Sequence, residues 1–474
     1  MYSFLISLGI LIGGYLIYGA FVERLFGVDS SRKTPAYTMT DGIDYMPMPT
    51  WKVFLIQFLN IAGLGPIFGA IMGVMFGTAA FLWIALGTIF AGAVHDFLAG
   101  MLSIRSGGRS LPELVGDQLG TKVKITMELF SVLLLILVGA VFVVNPADLL
   151  ATITPWSATI WIAIIFVYFF LATLLPIDKV IGNLYPVFGI ALLFMAVGIL
   201  AVLLVQHSGS IPEFTEGLQN RQSNPDALPI FPMMFISIAC GAISGFHATQ
   251  SPLMARCMKN EKYARPVFYG AMVTEGIVAL IWAAAAVAFA GSFDGLAELL
   301  GTQKPARIVY NLSTQWLGMV GGFLAMLGVI FAPITSGDTA LRSARLIVME
   351  TFKIKSNSIA MRLLVSVALF AVTFVIMNID FTVLWRYFAW SNQTLSVFTL
   401  WTISVYLARN AKPYLVTLIP AVFMTMVTTT YICFAPEGLR LGWLVSIAIA
   451  SVVSLLFCGL FVKFLNSIKK ERKL

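Results

Sequence analysis

The stretch that decides the fold is Cys240-Gly-Ala-Ile-Ser-Gly-Phe-His-Ala-Thr-Gln-Ser-Pro252, which lies inside an apolar segment. Gly241, Gly245 and Pro252 weaken or end an α-helix. The polar residues among them are tolerated in a membrane only where they face protein or a cavity. A second interruption, Gly63-Leu-Gly-Pro-Ile-Phe-Gly69, lies upstream. Two broken apolar segments, each leading a run of helices, indicate a transporter whose substrate site lies at mid-membrane between inverted repeats.

The composition excludes a soluble globular protein. Of 474 residues, 59% are hydrophobic and only 11% are charged, and the mean hydropathy is +0.92. The four cysteines have no C-x-x-C spacing, so a metal cluster or disulfide framework is not expected. The net charge of +8 comes from basic residues in short segments between spans, which orient membrane helices. We therefore expect membrane lipids, and no nucleic acid, as partners.

The apolar pattern predicts an all-α membrane protein with about 13 transmembrane helices. The basic residues are concentrated in every second connecting segment, which places the amino terminus outside and the carboxyl terminus in the cytoplasm. Each broken span then begins a set of five helices, and an odd-numbered set places its second copy upside down. The predicted spans are 3–21, 51–76, 78–104, 122–144, 157–175, 183–206, 230–255, 266–291, 309–333, 358–378, 383–407, 413–434 and 441–464.

This pattern predicts one integral membrane domain, 1–474, with internal repeats. An extra amino-terminal helix precedes a first five-helix repeat and its inverted second copy, and two extra helices and a cytoplasmic basic tail follow. The extra amino-terminal helix is 3–21, the first repeat is 51–206 and the second repeat is 230–407. The two extra helices lie within 413–464, and the tail is 465–474.

Five separated motifs resemble the signatures of the carbon starvation protein A family. They are Gly65–Gly73, Gly92–Phe97, Gly245–Pro252, Thr335–Thr339 and Trp385–Thr394. The resemblance implies an uptake system of the bacterial inner membrane, described as a peptide transporter and, for some members, as a proton-coupled pyruvate transporter. It also implies the five-plus-five inverted-repeat (LeuT-like) core of the amino acid–polyamine–organocation superfamily.

The first interruption is a candidate anion site. Pro66 suits the first turn of a new helix, where its missing N–H would be unpaired anyway. Free N–H groups at such a helix start favour a carboxylate, and Gly63 and Gly65 allow a substrate to approach the backbone. The alternative is a glycine-rich packing seam between helices.

The second interruption repeats this arrangement. Gly245 again gives access to the backbone, and Ser251 could cap a helix that starts at the following proline. His247, Thr249 and Gln250 could then contact polar atoms of the substrate. The alternative for the histidine is a purely structural role on an apolar face.

Three ionisable residues inside spans are candidates for proton coupling. His95, Asp96 and Glu275 are costly in a membrane unless they face water or a partner, and a buried carboxyl can titrate near neutral pH. The alternative is a hydrogen-bonded brace between helices.

A second coupling site is suggested by the sequence Ala332-Pro-Ile-Thr-Ser336, which we expect to end a helix. In sodium-coupled relatives of the superfamily, an Ala-x-x-Thr-Ser pattern here supplies oxygen ligands to Na⁺, so the resemblance suggests Ala332, Thr335 and Ser336 as ligands. Alternatively, Thr335, Ser336 and Asp338 cap the helix that follows.

These residues predict secondary active uptake of a small carboxylate-bearing nutrient by alternating access, coupled to H⁺ or Na⁺ and without any other cofactor. The glycine-containing loop at 105–112 lacks the pattern of an ATP-binding loop. An intramembrane enzyme using His95, Asp96 and His247, and a passive channel, are the competing classes. The sequence leaves open peptide or pyruvate as substrate, the coupling ion and the oligomeric state.

Overall fold

The computed structural model describes residues 1–42, 44–174, 177–354, 358–379 and 381–471, and these ranges contain helices but no β-strand. The first ten α-helices are α1 (Tyr2–Phe26), α2 (Pro35–Thr38), α3 (Thr50–Ile61), α4 (Gly65–Gly73), α5 (Ala79–Gly87), α6 (Ala93–Arg105), α7 (Leu111–Leu119), α8 (Thr121–Ile153), α9 (Ala158–Leu174) and α10 (Ile177–Gln206). The others are α11 (Ile230–Ser237), α12 (Gly245–Ala255), α13 (Gly270–Ala290), α14 (Phe293–Thr302), α15 (Pro305–Ala325), α16 (Ala332–Thr351), α17 (Ile359–Ile376), α18 (Phe381–Arg409), α19 (Leu415–Phe434) and α20 (Trp443–Glu471).

The all-helical, multi-span class is confirmed. Within the described ranges, nine helical stretches are long and apolar enough to cross a membrane, and the bent pair α3–α4 makes a tenth. Three of the predicted spans are not in this number. At 157–175, the described part of α9 ends at residue 174 and has 17 residues. At 230–255, a non-helical segment divides α11 from α12, and at 383–407, α18 is rich in hydroxyl and amide side chains.

The first break, residues 62–64, lies where the sequence predicts it. Helix α3 ends at Ile61, α4 begins at Gly65, and the two axes differ by 45°. Pro66 occupies the first turn of α4, the position at which its missing N–H costs no helical hydrogen bond. The expected restart of the helix at this proline is therefore observed.

The second break, residues 238–244, ends earlier than predicted. Helix α12 starts at Gly245, directly after Ser244, so the proline at 252 lies within the helix. The Ser251 hydroxyl donates to the His247 carbonyl 3.0 Å away, one turn back in the same helix. The prediction that Ser251 caps a helix beginning at the next residue is wrong, because the glycine-containing segment before Gly245 already accommodates the break.

Helix α16 runs through the position where a helix end was predicted. A π-helical turn, Met326–Phe331, leads directly into α16, and Thr335, Ser336 and Asp338 all lie inside it. They therefore do not cap a following helix. Proline 333 sits in the first turn after the π-helical segment, where the loss of one N–H is tolerated. Two further π-helical turns, Thr88–Gly92 and Arg265–Tyr269, lead in the same way into α6 and α13.

The broken helices lie at the centre of the bundle. Every residue of α12 is buried, whereas α1, α17 and α20 expose large apolar side chains such as Ile17, Leu364 and Leu455. In a membrane protein, such apolar outer faces suit contact with lipid. The centre therefore contains the polar residues singled out in the sequence, and the outer helices separate them from lipid.

Candidate functional site

The two breaks touch each other through small residues. A side chain on Gly65 would lie 2.2 Å from the Cys240 sulfur, and one on Gly69 would lie 2.7 Å from the Ser237 carbonyl oxygen. A side chain on Gly241 would approach the Pro66 Cα at 3.8 Å. The structure thus gives Gly65 a close-packing position, as in the alternative interpretation of the glycines. A substrate reaches the backbone here only if the breaks separate.

Gly63 occupies a comparable position on the other side of the first break. A side chain there would lie 2.9 Å from the Phe142 ring and 3.7 Å from the Ser336 hydroxyl. The first break therefore packs between the second break on one side and helices α8 and α16 on the other.

Four ionisable side chains from three helices form a buried acid–histidine cluster, which consists of His95, Asp96, His247 and Glu275. One Asp96 oxygen lies 2.7 Å from Nδ1 of His95, and the other lies 2.9 Å from Nδ1 of His247. Nε2 of His247 lies 3.4 Å from Oε2 of Glu275, which is ion-pair distance. All four side chains are fully buried. The structure thus joins His247, predicted to bind substrate, to three residues predicted to couple a proton.

The acid–histidine cluster is incompletely hydrogen-bonded. Among the described residues, His95 Nε2 and both Glu275 carboxylate oxygens have no hydrogen-bond partner. A buried carboxylate without donors is expensive when ionised. Histidine and carboxyl groups in a continuous row can accept and pass on a proton with small movements. Proton uptake and transfer is therefore the chemistry that this arrangement suits best.

The start of α12 is occupied by a residue that we did not place in the site from the sequence. Asn392 of α18 accepts hydrogen bonds from the Phe246 N–H at 2.7 Å and from the Ser244 hydroxyl at 3.0 Å. Its amide nitrogen donates to the Cys240 sulfur at 3.4 Å. A polar pair, Asn392-Gln393, in an otherwise apolar span was the available signal.

Thr249 and Gln250 point away from the acid–histidine cluster, toward α16. The Thr249 hydroxyl donates to the Phe246 carbonyl at 2.6 Å. The Gln250 amide donates to Thr249 at 2.9 Å and to Ser343 of α16 at 3.4 Å. Its oxygen has no partner in the described part of the chain. The second break thus contacts both the acid–histidine cluster and α16.

A buried oxygen cluster joins the end of α3 to α16 and comprises the Leu59 carbonyl, Asn60, Ser336 and Thr339. The Ser336 hydroxyl donates to the Leu59 carbonyl at 3.0 Å, and Thr339 donates to the Asn60 amide oxygen at 3.2 Å. Thr335 donates to Ala332 in its own helix at 2.7 Å. Oxygen ligands of this kind suit a hard cation. Asn60 and Thr339 are additional residues that the sequence pattern did not identify.

Asp338 lies in a separate buried charged group on α16. Its Oδ2 has no hydrogen-bond partner among the described residues, and Arg342 and Arg345 are buried in the same helix. Nη1 of Arg342 lies 3.9 Å from Oδ1 of Asp44, and its Nη2 donates to the Ala172 carbonyl at 3.0 Å. No group of three or more His, Cys, Asp or Glu suited to a metal occurs within the described ranges.

Comparison with known sequences identifies the family of this chain. The profile described as "Carbon starvation protein CstA" matches residues 1–166 and 143–304. The chain belongs to the CstA family. The predicted family is thereby confirmed, and three of the five motifs, Gly65–Gly73, Gly92–Phe97 and Gly245–Pro252, lie within the matched residues.

Several proteins are similar to this CstA-family chain along much of its length. An uncharacterised membrane protein of Haemophilus influenzae is 47% identical over 339 residues, which cover 61% of this chain and 91% of that protein. The peptide transporter CstA of Campylobacter jejuni is 30% identical over 56% of this chain. The pyruvate/proton symporter BtsT of Escherichia coli is 27% identical over 58% of this chain. The matches span 47% of the length of each of these two named transporters.

Solved structures share the fold. The Eremococcus coleocola manganese transporter, in complex with an aromatic bis-isothiourea substituted compound, superposes with a TM-score of 0.55 at 13% identity. The match covers 91% of this chain and 99% of that one. The named relatives are a peptide transporter and a pyruvate/proton symporter, and these names speak against an intramembrane enzyme.

Proposed function

We propose that this CstA-family chain is a secondary active uptake transporter for small carboxylate-bearing nutrients, either peptides or pyruvate. The named relatives, a peptide transporter and a pyruvate/proton symporter, support this substrate class. The observation that carries the proposal is the direct link between the second break and the acid–histidine cluster. The Phe246 N–H at the start of α12 donates to an acceptor outside its own helix, and the next residue, His247, belongs to the cluster.

The proposed architecture is a five-plus-five inverted repeat. We assign 51–206 and 230–407 to the two repeats, one extra helix to 3–21 and two to 413–464, which gives about 13 spans. The chain would lie in the bacterial inner membrane with its amino terminus outside and the 465–474 tail in the cytoplasm. The two breaks, each early in its proposed repeat and in contact with each other, support this arrangement.

The proposed substrate site lies between the breaks. Gly63, Gly65, Pro66 and Gly245 form the backbone on either side. Their separation would give a substrate access to the starts of α4 and α12, where both helix dipoles favour a carboxylate. His247, Thr249, Gln250 and Ser251 belong to α12 and would contact or orient the rest of the substrate.

Protons are the favoured coupling ion in this proposal. A proton that enters the acid–histidine cluster adds positive charge next to the carboxylate site, so proton and anion stabilise each other when both are bound. Release of the anion would in turn favour release of the proton. Asp96 and His247 hold the continuous part of the relay, and His95 and Glu275 lie at its two ends.

Sodium is a second candidate coupling ion, and the oxygen cluster is the specific observation in its favour. The Ser336 hydroxyl and the Leu59 carbonyl lie 3.0 Å apart at the end of the first broken helix. A Na⁺ ion here would be coordinated by the Ala332 carbonyl oxygen and by the hydroxyl oxygens of Thr335 and Ser336. The two hydroxyl groups would turn away from the carbonyls of Ala332 and Leu59, to which they now donate. Asp338 would add negative charge one turn away.

Uptake by proteoliposomes tests both proposals. Labelled pyruvate and a labelled dipeptide are each offered under an imposed pH gradient, an imposed sodium gradient, or neither. We expect saturable accumulation of at least one substrate that is driven by the pH gradient. Flux that never saturates and ignores both gradients would indicate a channel and refute secondary active transport.

A further inference from the structure

Two neighbouring amide side chains of α18 join the two sides of the second break. Gln393 donates from Nε2 to the Phe235 carbonyl in the last turn of α11, at 3.0 Å. Asn392 accepts from the Phe246 N–H and the Ser244 hydroxyl at the start of α12. One pair of residues thus satisfies a carbonyl at the end of one half-helix and an N–H at the start of the other.

The contact is close and fully enclosed. Asn392 has no solvent exposure. A side chain on Gly245 would lie 2.4 Å from the Asn392 carbonyl oxygen and 2.4 Å from the Ser396 nitrogen, so only glycine lets α18 approach α12 this closely. The close approach is what brings the Asn392 amide oxygen within 2.7 Å of the Phe246 N–H.

The Asn392 oxygen is chemically similar to one oxygen of a carboxylate. It lies at a helix start, where the free N–H groups and the dipole favour an anion. It accepts from one backbone N–H and one hydroxyl, which are the donors that a substrate carboxylate would use. A carboxylate is the stronger acceptor in such contacts because its hydrogen bonds are charge-assisted.

We propose that Asn392 is a positioning residue that occupies the carboxylate site at the second break when the transporter is empty. A substrate carboxylate would displace the Asn392 amide oxygen from the Phe246 N–H and the Ser244 hydroxyl. Displacement would loosen the contact between α18 and α12, while Gln393 keeps α18 attached to α11. This inference rests on the proposed uptake of carboxylate-bearing nutrients.

A purely structural role of Asn392 and a displaceable one predict different effects of substitutions at this position. Asn392→Asp keeps an acceptor oxygen in place, so a structural cap would tolerate it. A displaceable occupant would instead become a fixed negative charge that competes with and repels the substrate. Asn392→Ala removes the competitor, so a structural cap would lose function, whereas a carboxylate site would become easier to fill.

The experiment measures equilibrium binding of labelled pyruvate and a labelled dipeptide to the purified, full-length protein. We expect Asn392→Ala to bind the recognised substrate more tightly, on the order of tenfold if one hydrogen bond no longer has to be broken. Asn392→Asp should keep a thermal unfolding temperature close to that of the wild type and lose at least tenfold in affinity. Asn145→Ala is the matched control, because Asn145 is a buried amide that donates to Val141 in its own helix, and its affinity should be unchanged.

The outcomes separate this inference from the proposed function. Wild-type protein that binds neither probe overturns the uptake proposal, and the role of Asn392 falls with it. If the wild type binds a probe and Asn392→Asp binds it with the same affinity, the proposed role of Asn392 is overturned but the uptake proposal is not. If Asn392→Ala does not fold, we replace it with Asn392→Ser. The serine side chain keeps a small polar group but cannot reach the Phe246 N–H. Weaker binding in that variant would also overturn the inference.

Discussion

Glu275→Gln replaces the carboxylate that faces His247 with a neutral amide of nearly the same shape. In the structure, Oε2 of Glu275 lies 3.4 Å from Nε2 of His247, and neither carboxylate oxygen has a hydrogen-bond partner within the described ranges. The substitution therefore removes an exchangeable proton and a charge but no short hydrogen bond. It separates the proposed role of Glu275 in proton coupling from its contribution to packing.

The expected magnitudes differ for folding and for coupling. Loss of one long contact should change the free energy of unfolding by no more than about 1 kcal/mol. One coupled proton, by contrast, is worth about 1.4 kcal/mol for each unit of pH gradient, or roughly tenfold in substrate accumulation. We therefore expect the variant to lose about tenfold in accumulation per pH unit while substrate exchange at equilibrium continues.

Proteoliposomes provide both measurements, namely uptake driven by a pH gradient and exchange of labelled for unlabelled substrate without a gradient. Glu128→Gln is the control, because Glu128 is a buried carboxylate of α8 that lies 3.6 Å from Lys124, away from the acid–histidine cluster. It should retain proton-driven uptake. If Glu275→Gln accumulates substrate as the wild type does over the whole pH range, Glu275 has no part in coupling.

Three further changes test other parts of the site. Asp96→Asn keeps one acceptor for a histidine and weakens the other contact, so thermal unfolding should show a loss of about 1.5–3 kcal/mol, and proton-driven uptake should stop. A wild-type unfolding temperature would contradict the buried contacts. Ser336→Ala removes the hydroxyl next to the Leu59 carbonyl; uptake should lose any dependence on Na⁺, and unchanged sodium stimulation would exclude the oxygen cluster. Gly65→Ala should lower the free energy of unfolding by about 1–3 kcal/mol, because the added methyl group would overlap the Cys240 side chain. Adding Cys240→Gly to this variant should restore part of the lost stability. No such rescue would occur if the two breaks were apart.

The sequence predicted that two helices are broken, because glycine, proline and polar residues rarely occur together inside a continuous membrane-spanning helix. It placed the second restart too late, since Pro252 was given more weight than the glycines before it. In the folded chain, the non-helical segment already ends at Gly245. Proline inside a helix is tolerated when the surrounding helices compensate, which local sequence does not reveal.

The local sequence could not predict which side chains the ionisable residues contact. Asp96 and His247 are 151 positions apart, and their contact depends on how α6 packs against α12. The type of residue in an apolar span was enough to make each a candidate for substrate contact or ion coupling. Only the packing shows that His247 belongs with Asp96 and Glu275, and that Asn392 of a distant helix completes the start of α12.

The three π-helical turns affect how roles can be transferred between this chain and its relatives. Each contains an extra residue relative to α-helical geometry, and each directly precedes the helix that carries Asp96, Glu275 or Ser336. Successive residues of an α-helix are rotated by about 100°, so one extra residue changes which side chains face the interior. Whether an alignment has a gap at 88–92, 265–269 or 326–331 therefore decides whether the three following functional candidates are matched to interior or to outward-facing residues. Gaps belong at these turns when homologues are aligned. An ungapped alignment with a relative that lacks the turn would match Asp96, Glu275 or Ser336 to residues on the wrong face of the helix.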